Sequence, residues 1–312
     1  EPLDAQFGVW PKKTVPDALY EPQFGQPDPT EAEIAQYGSA EAVPPMKTYA
    51  ILDAAKVPLL PEMLEESGLA YRCLFKGDAY EELKTVAPYV VELTEDNDLT
   101  RHLFTKSGMP ADLWDKEPGI FVRSRGTLED MWRHFRKFTK FRDDTGKWFF
   151  FRFWDISAHE ATVEELASCE QSSQFLAATD PVTFILTGEG RTRRIYCNEV
   201  TESMQEPQVF MKKVSRRLKN KKIESDLEII AAETLADNYT INQLRSLVQN
   251  LRKWLEAGMI NRHQLTEMAE IERDSSFRFL DTAEAWNLLT QREPDYGTFV
   301  ALIDLARKMG VK

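Results

Sequence analysis

Four histidines, His102, His134, His159 and His263, and three cysteines, Cys73, Cys169 and Cys197, are the side chains of this 312-residue chain best suited to hold a metal or attack a carbonyl. Their spacing supports neither. His159 and Glu160 begin like the helical zinc-protease pattern, but the place of the second same-face histidine is taken by Val163. No histidine pairs with a cysteine at a recognisable spacing, and no serine sits in a nucleophile elbow. His102 and His134 fall on expected helices and read as surface or boundary residues. Gly188, Glu189 and Gly190 are too few glycines for a dinucleotide fingerprint and lie between two strand-like runs, so they read as a turn. The cysteines, odd in number and far apart, match neither a disulfide framework nor a paired metal motif, and read as reduced thiols in cytoplasm. The sequence therefore shows no recognisable catalytic constellation, and no cofactor or metal is expected.

What is left is charge in apolar settings, chiefly in the segment GIFVRSRGTLEDMWRHFRKFTKFRDDTGKWFFFRFWD from Gly119 to Asp155. From Trp148 to Trp154 the alternation places Trp148, Phe150, Arg152 and Trp154 on one face of a strand and Phe149, Phe151 and Phe153 on the other. Both faces ask for burial, which predicts a central strand of a covered sheet. Arg152 must then reach water or meet a carboxylate, because an unpaired buried charge costs several kcal/mol. Asp155 reads as a turn residue or as an arginine partner. Upstream, Thr127 and Asp130 resemble a capping box, and Leu128, Met131, Trp132, Phe135 and Phe138 recur at helical spacing. Arg133, Arg136, Lys137 and Lys140 take the opposite side, as a solvated face or a dock for an acidic partner. RDDTGKW reads as the reversal joining this helix to the aromatic strand.

The elements that position these residues divide the chain into three. Residues 1–47 hold half of the chain's 16 prolines and read as an extended arm, either mobile or pinned by Trp10, Tyr20 and Phe24. Residues 48–205 alternate short apolar runs with helical stretches: TYAILDAA, the helix PLLPEMLEESG, the strands AYRCLF and PYVVEL, and a helix capped by Asn97. Beyond Asp155, HEATVEELASCEQSSQFLAA reads as helical and VTFILTGEGRTRRIYCNEV as a hairpin that completes the sheet. The expected fold is an α/β lobe, a mixed sheet with covering helices, followed by an all-helical lobe over residues 206–312. In that lobe Ile241, Leu244, Leu247, Val248, Leu251, Trp254 and Leu255 form one stripe ending before Gly258. Asp281 with Glu284 resembles another capping box, and Pro294 suits the first turn of a last helix. The cluster MKKVSRRLKNKK, residues 211–222, marks the junction as a solvated linker, an acidic-protein contact or a nucleic-acid site.

A formal charge of -12 argues against a general nucleic-acid binder and against membrane surfaces. Hydrophobic residues at 42% with 29% charged residues fit a soluble globular protein, and no apolar run approaches the roughly 20 residues of a membrane helix.

The order LDAA, YRCLF, APYVVEL, GIFVRS and FRFWD resembles the domain of unknown function 4123, similar to adaptor chaperones of the bacterial type VI secretion system. The resemblance spans Thr48 to Ala178, about two fifths of the chain. It departs after FRFWD, where the family often continues with proline and this chain has Ile156. The resemblance implies a bacterial cytoplasmic protein, without enzymatic activity, that holds a toxic effector, often through the effector's N-terminal region, and helps load it onto the VgrG spike protein. Arg72, Arg123 and Arg152 are the motif arginines carried over; Trp154 and Asp155 share their ambiguity between scaffold and partner contact. In the helical lobe Trp254 and Trp286 are candidate groove residues, against the plainer reading as core. Two alternatives stand beside this one. They are an enzyme whose carboxylate and arginine cleft takes an acidic small molecule, and a nucleic-acid module using residues 211–222.

Overall fold

The computed structural model describes residues 1–142, 145–156, 183–188, 191–195, 207–236, 239–258, 261–290 and 296–311. It divides into two units, Glu1–Arg217 and Leu218–Lys312, within which the elements pack. The proline-rich start is not an extended arm, because two short helices form in it, α1 (Asp17–Phe24) and α2 (Glu31–Tyr37). The second has its own capping box, Thr30 with Glu33, and stops at Gly38, whose φ of 91° needs a residue without Cβ. Val15 and Leu19 join the sheet's core, with Leu3 and Phe24 packed against it. Of the three aromatics expected to pin the segment, Phe24 does so, Tyr20 donates its hydroxyl to Glu95 at 3.1 Å, and Trp10 is 90% exposed.

The run KTYAILD forms β1 (Lys47–Asp53), buried from Thr48 onward, because it lies between two neighbours. Helix α3 (Leu60–Ser67) follows, closed by Gly68, and leads to β2 (Tyr71–Cys73). Next come α4 (Asp78–Leu83), β3 (Pro88–Leu93), α5 (Asp98–Phe104), capped by the Asn97 side chain, and β4 (Gly119–Ser124). Gly119 is required by a close approach, since a Cβ there would collide with the Ile51 carbonyl. Helix α6 (Leu128–Arg136), β5 (Lys140–Arg142), β6 (Trp148–Phe150), β7 (Thr183–Gly188) and β8 (Arg191–Ile195) complete the described part of the layer.

The large sheet has the order β2-β3-β1-β4-β7-β8, and each described pairing is antiparallel. The alternation of strand and helix is nevertheless of the α/β kind. β2 runs parallel to β1 with β3 between them, and β4 runs parallel to β3 with β1 between them, so the connections through α3 and α5 each skip a strand, whereas α4 joins the neighbours β2 and β3. The expected hairpin is β7–β8, and it extends this sheet beside β4.

The aromatic strand is a correction to the sequence reading. It stops at Phe150 and pairs with β5, a strand the sequence reading lacks, in a separate two-stranded sheet. Trp148, Phe149 and Phe150 are 48%, 40% and 55% exposed, whereas Phe151, Phe153 and Trp154 are buried. The RDDTGKW reversal thus joins two strands, with Gly146 at φ 85°, and the chain bends again where the Asp155 amide donates to the Arg152 carbonyl at 3.0 Å. Two turns so close together limit β6 to three residues. The capping box on α6 is present: the Asp130 amide donates to Thr127 Oγ1 at 3.2 Å and the Thr127 amide to Asp130 Oδ2 at 3.0 Å. The Thr127 hydroxyl, bonded to the same carboxylate, holds Asp130 below the usual aspartate range. Thr127→Ala is expected to destabilise the first unit by about 1 kcal/mol, read as a lower urea midpoint with an unchanged slope.

In the second part, α7 (Pro207–Leu235) contains the division between the units and takes up residues 211–222, which are therefore helical and not a linker. Helices α8 (Ile241–Glu256), α9 (Arg262–Asp274), α10 (Ala283–Thr290) and α11 (Tyr296–Lys308) follow. Leu227, Leu247, Leu251, Trp254, Met268, Phe279 and Leu302 lie in one core. The cap of α10 is one residue later than expected: the Ala285 amide donates to Thr282 Oγ1 at 3.3 Å, and Asp281 is exposed. Pro294 lies outside the described residues. Among the described residues no helix is long and apolar enough to cross a membrane.

Candidate functional site

The motif arginines do not converge. Arg152 reaches Asp53, the aspartate of LDAA at the end of β1, with Nη2 2.5 Å from Oδ2. The same oxygen accepts the Trp154 indole N–H at 3.0 Å, while Oδ1 accepts the Ala55 amide at 2.9 Å. Asp53 is 2% exposed at its side chain and Arg152 47%, so a buried anion is compensated by a cation that keeps contact with water. Asp155 Oδ2 lies 4.0 Å from Arg152 Nη2 and 3.4 Å from Lys56 Nζ, which continues the alternation of charge. Two sequence motifs, about a hundred residues apart, are thereby fastened together through one carboxylate. Arg152, Trp154 and Asp155 meet here, and Asp53 is the member that sequence reasoning missed. Its signal was available, since an aspartate closing an apolar strand needs a partner. With its cation matched by anions and no nucleophile in the cluster, this arrangement ties elements together.

Arg123 is buried on β4 and donates to two carbonyls of the N-terminal segment, Pro22 at 3.2 Å and Gly25 at 2.5 Å. Arg125, also buried and absent from the sequence-based candidates, bonds Glu33 through Nε at 2.5 Å and the carbonyls of Pro44 and Pro27 at 2.7 and 3.1 Å. Burial works against the Glu33 carboxylate, but the Arg125 guanidinium beside it holds its pKa below the ordinary range. These two forks explain why a proline-rich segment is ordered: prolines leave carbonyls without nearby amide partners, and a guanidinium supplies several donors in fixed geometry. Arg125→Ala is expected to release residues 26–46, seen as new early cleavages there in limited proteolysis, at a cost of about 2 kcal/mol.

Arg72 is paired with Glu129 and lies over the Trp132 ring, 3.8 Å from its centre. Arg136 approaches the same ring at 4.3 Å, and the Trp132 indole donates to the Cys73 carbonyl at 2.7 Å. Tyr71, Arg72, Cys73, Phe75, Tyr80 and Trp132 line an open pocket of about 320 Å³. Burial pushes the Cys73 thiol up, so it is not activated as a nucleophile. Phe75 continues the pocket wall onto the hairpin, its ring 5.2 Å from that of Phe150. On that hairpin face Lys140 stands opposite Phe150 and Arg142 opposite Trp148. Their cationic groups lie over the Trp148 ring at 5.1 and 4.6 Å.

The remaining candidates are placed apart. Trp254 is fully buried, its indole donating to Glu272 Oε1 at 3.2 Å, whereas Trp286 on α10 is 49% exposed. His134 is buried with its ring edge-on to Phe135, against its reading as a surface or boundary residue, because α6 packs both its apolar stripe and this flank. His102 Nδ1 lies 2.7 Å from Asp112 Oδ1, and Ser107 donates to the same carboxylate. Burial would raise Asp112, but the Ser107 hydroxyl and His102 outweigh it and hold the group low. The serine bonds the acid and not the imidazole, so this is no relay of serine to histidine. Among the described residues no cluster of histidine, cysteine and carboxylate fits a metal ion. His159, Glu160, Cys169, Cys197, the glycine turn at 189–190 and the adjacent Asp143 and Asp144 lie outside the described residues.

A family model described as "Domain of unknown function (DUF4123)" matches residues 48–173. The match contains β1 from Thr48 onward, α6 and both halves of the Asp53 cluster. No curated protein and no solved structure matches the chain.

Proposed function

We propose that the chain is a non-enzymatic adaptor chaperone of a bacterial type VI secretion system, acting in the cytoplasm. It binds a toxic effector, through the effector's N-terminal region, stabilises it and helps load it onto the VgrG spike protein. The observation that carries this reading is the family match over residues 48–173, which coincides with the resemblance seen in the order LDAA, YRCLF, APYVVEL, GIFVRS and FRFWD. Two features are consistent with it. The motif residues around Asp53 are engaged with one another, as befits a scaffold, and exposed aromatics such as Trp148 and Phe150 lie elsewhere on the same unit. Arg72, Arg123 and Arg152 each have separate partners, so these three arginines do not share one cleft.

Co-expression with a toxin encoded beside the gene tests the reading. The tagged chain should hold that toxin in solution and co-purify with it, and addition of the spike protein should give a ternary complex. If the gene's neighbours include neither toxin nor spike, and the purified chain captures neither, the proposal fails.

A further inference from the structure

We infer that helix α1 is a displaceable occupant of a helix-binding seat on the first unit, and that the same seat takes an amphipathic helix of a partner protein with an apolar residue where α1 has Gln23. The seat is set by strand register. Thr48 on β1 stands opposite Arg123 on β4, so both side chains lie on one face of the sheet. The Thr48 hydroxyl donates to the Gln23 carbonyl, and the Arg123 guanidinium donates to the carbonyls of Pro22 and Gly25 at 3.2 and 2.5 Å. Pro22 and Gln23 belong to the last turn of α1 and Gly25 closes it, so these are carbonyls that a helix end leaves without intrahelical donors. A cation there also complements the helix dipole. Each of these bonds goes to main chain. The seat thus reads the end of a helix whatever its side chains, and its preference among sequences comes from apolar contacts. Val15 and Leu19 supply them, within the core that contains Ala50, Leu52 and Phe121.

α1 fits this seat imperfectly. Val15, Leu19 and Gln23 recur at intervals of four, the spacing of one helical face, and the third place calls for an apolar residue. Gln23 is instead fully buried there, and neither its Oε1 nor its Nε2 has a hydrogen-bond partner among the described residues. An unpaired buried amide destabilises the docked helix relative to the released one, in which water satisfies both atoms. The helix is also weak by itself. It has eight residues, no side-chain cap at Pro16, and an internal proline, Pro22, that cannot donate to the Ala18 carbonyl. Isolated helices this short are marginal in water, so α1 owes its form to the seat, and its release and unwinding are one step. An incoming helix with leucine in the third place makes the same main-chain bonds and apolar contacts without stranding an amide. The family match over residues 48–173 takes in Thr48 and Arg123 and leaves α1 outside, so the seat belongs to the matched domain and its present occupant does not.

The identity of this partner as the secreted effector rests on the proposed chaperone role, whereas the seat does not. Two experiments keep them apart. In the first, a fluorescent peptide of residues 14–28 carrying Gln23→Leu is titrated into the full chain. It should bind, with an affinity set by the fraction of chains whose α1 is released. Gln23→Leu in the full chain improves the resident helix. It should therefore slow hydrogen exchange of the Leu19 and Tyr20 amides, which donate to the Pro16 carbonyl, at least about tenfold, and weaken peptide binding by the same factor. Arg125→Ala, which loosens residues 26–46 and leaves Thr48 and Arg123 in place, should strengthen it. Thermal unfolding of each variant checks that the rest of the fold is intact. No peptide binding by either the parent or the Arg125→Ala chain, or equal binding by the parent and the Gln23→Leu chain, would overturn the inference. So would dimers of the Arg125→Ala chain that exclude the peptide, since the seat would then serve a second copy. In the second experiment the Gln23→Leu chain is co-expressed with the neighbouring toxin. Loss of the complex joins seat to function; a retained complex leaves the chaperone role standing and rejects this seat for it.

Discussion

Asp53→Ala is expected to destabilise the first unit by about 3 kcal/mol, and more than any loss of charge at the protein surface would. The size follows from what the carboxylate satisfies. Removing it strands the buried Trp154 indole N–H and the Ala55 amide, each at about 1–3 kcal/mol. Arg152 adds less, because its half-exposed guanidinium turns to water. Arg152→Ala is the informative counterpart: the carboxylate keeps two N–H donors but loses its cation in a buried position, which predicts about 2 kcal/mol. Since both variants break one network, their costs should not add, and the double variant should resemble Asp53→Ala alone. Hydrogen exchange gives a local readout, with faster exchange in β1 and residues 151–155 and none in the helical unit. A loss under about 1 kcal/mol for Asp53→Ala would show that water takes over the acceptor role, and that the cluster contributes little to the cohesion of the first unit.

That cluster also shows what was legible in the sequence. Arg152 announced a carboxylate partner because a charge inside an aromatic run has no other resting place, and the partner exists. Its identity was not readable, since Asp53 lies 99 residues away and only the sheet brings the two together. Strands with apolar runs, β1, β3 and β4, were plain for the same reason that they are central: each is flanked by two neighbours, and apolar side chains mark them on both faces. The Trp148–Trp154 run obeyed the same pattern and was misread. Aromatic content alone does not distinguish rings that go inside, Phe151, Phe153 and Trp154, from rings left outside, Trp148 and Phe150. The distinction is made by two turns, one of which depends on a 3.0 Å bond to a carbonyl that no residue type signals. The proline-rich segment was ambiguous for a related reason, because its order comes from Arg123 and Arg125 on a strand far along the chain.

The other large effect belongs to the helical unit. Glu272 is fully buried on α9, where its carboxylate accepts the Trp254 indole at 3.2 Å, the Asn250 amide at 3.0 Å and the Leu280 backbone N–H at 3.1 Å. Glu272→Leu keeps most of the volume but leaves three buried donors without an acceptor, which predicts a loss of about 3 kcal/mol or more. Glu272→Gln separates acceptor from charge. Burial pushes the glutamate pKa up, against the pull of its three donors, so the folded value lies above the unfolded one. The stability linked to this group is therefore complete below the ordinary glutamate value and is lost as pH rises through the raised one. Glutamine cannot ionise, and its stability in that window should lack this fall. The difference between the glutamine variant and the parent should move toward the variant with rising pH, then level off above the raised value. Urea unfolding, followed by hydrogen exchange in α8 and α9, measures it. A constant difference across the window would mean that the donors around Glu272 hold the carboxylate as well as water does, and burial would then impose no cost on its charge.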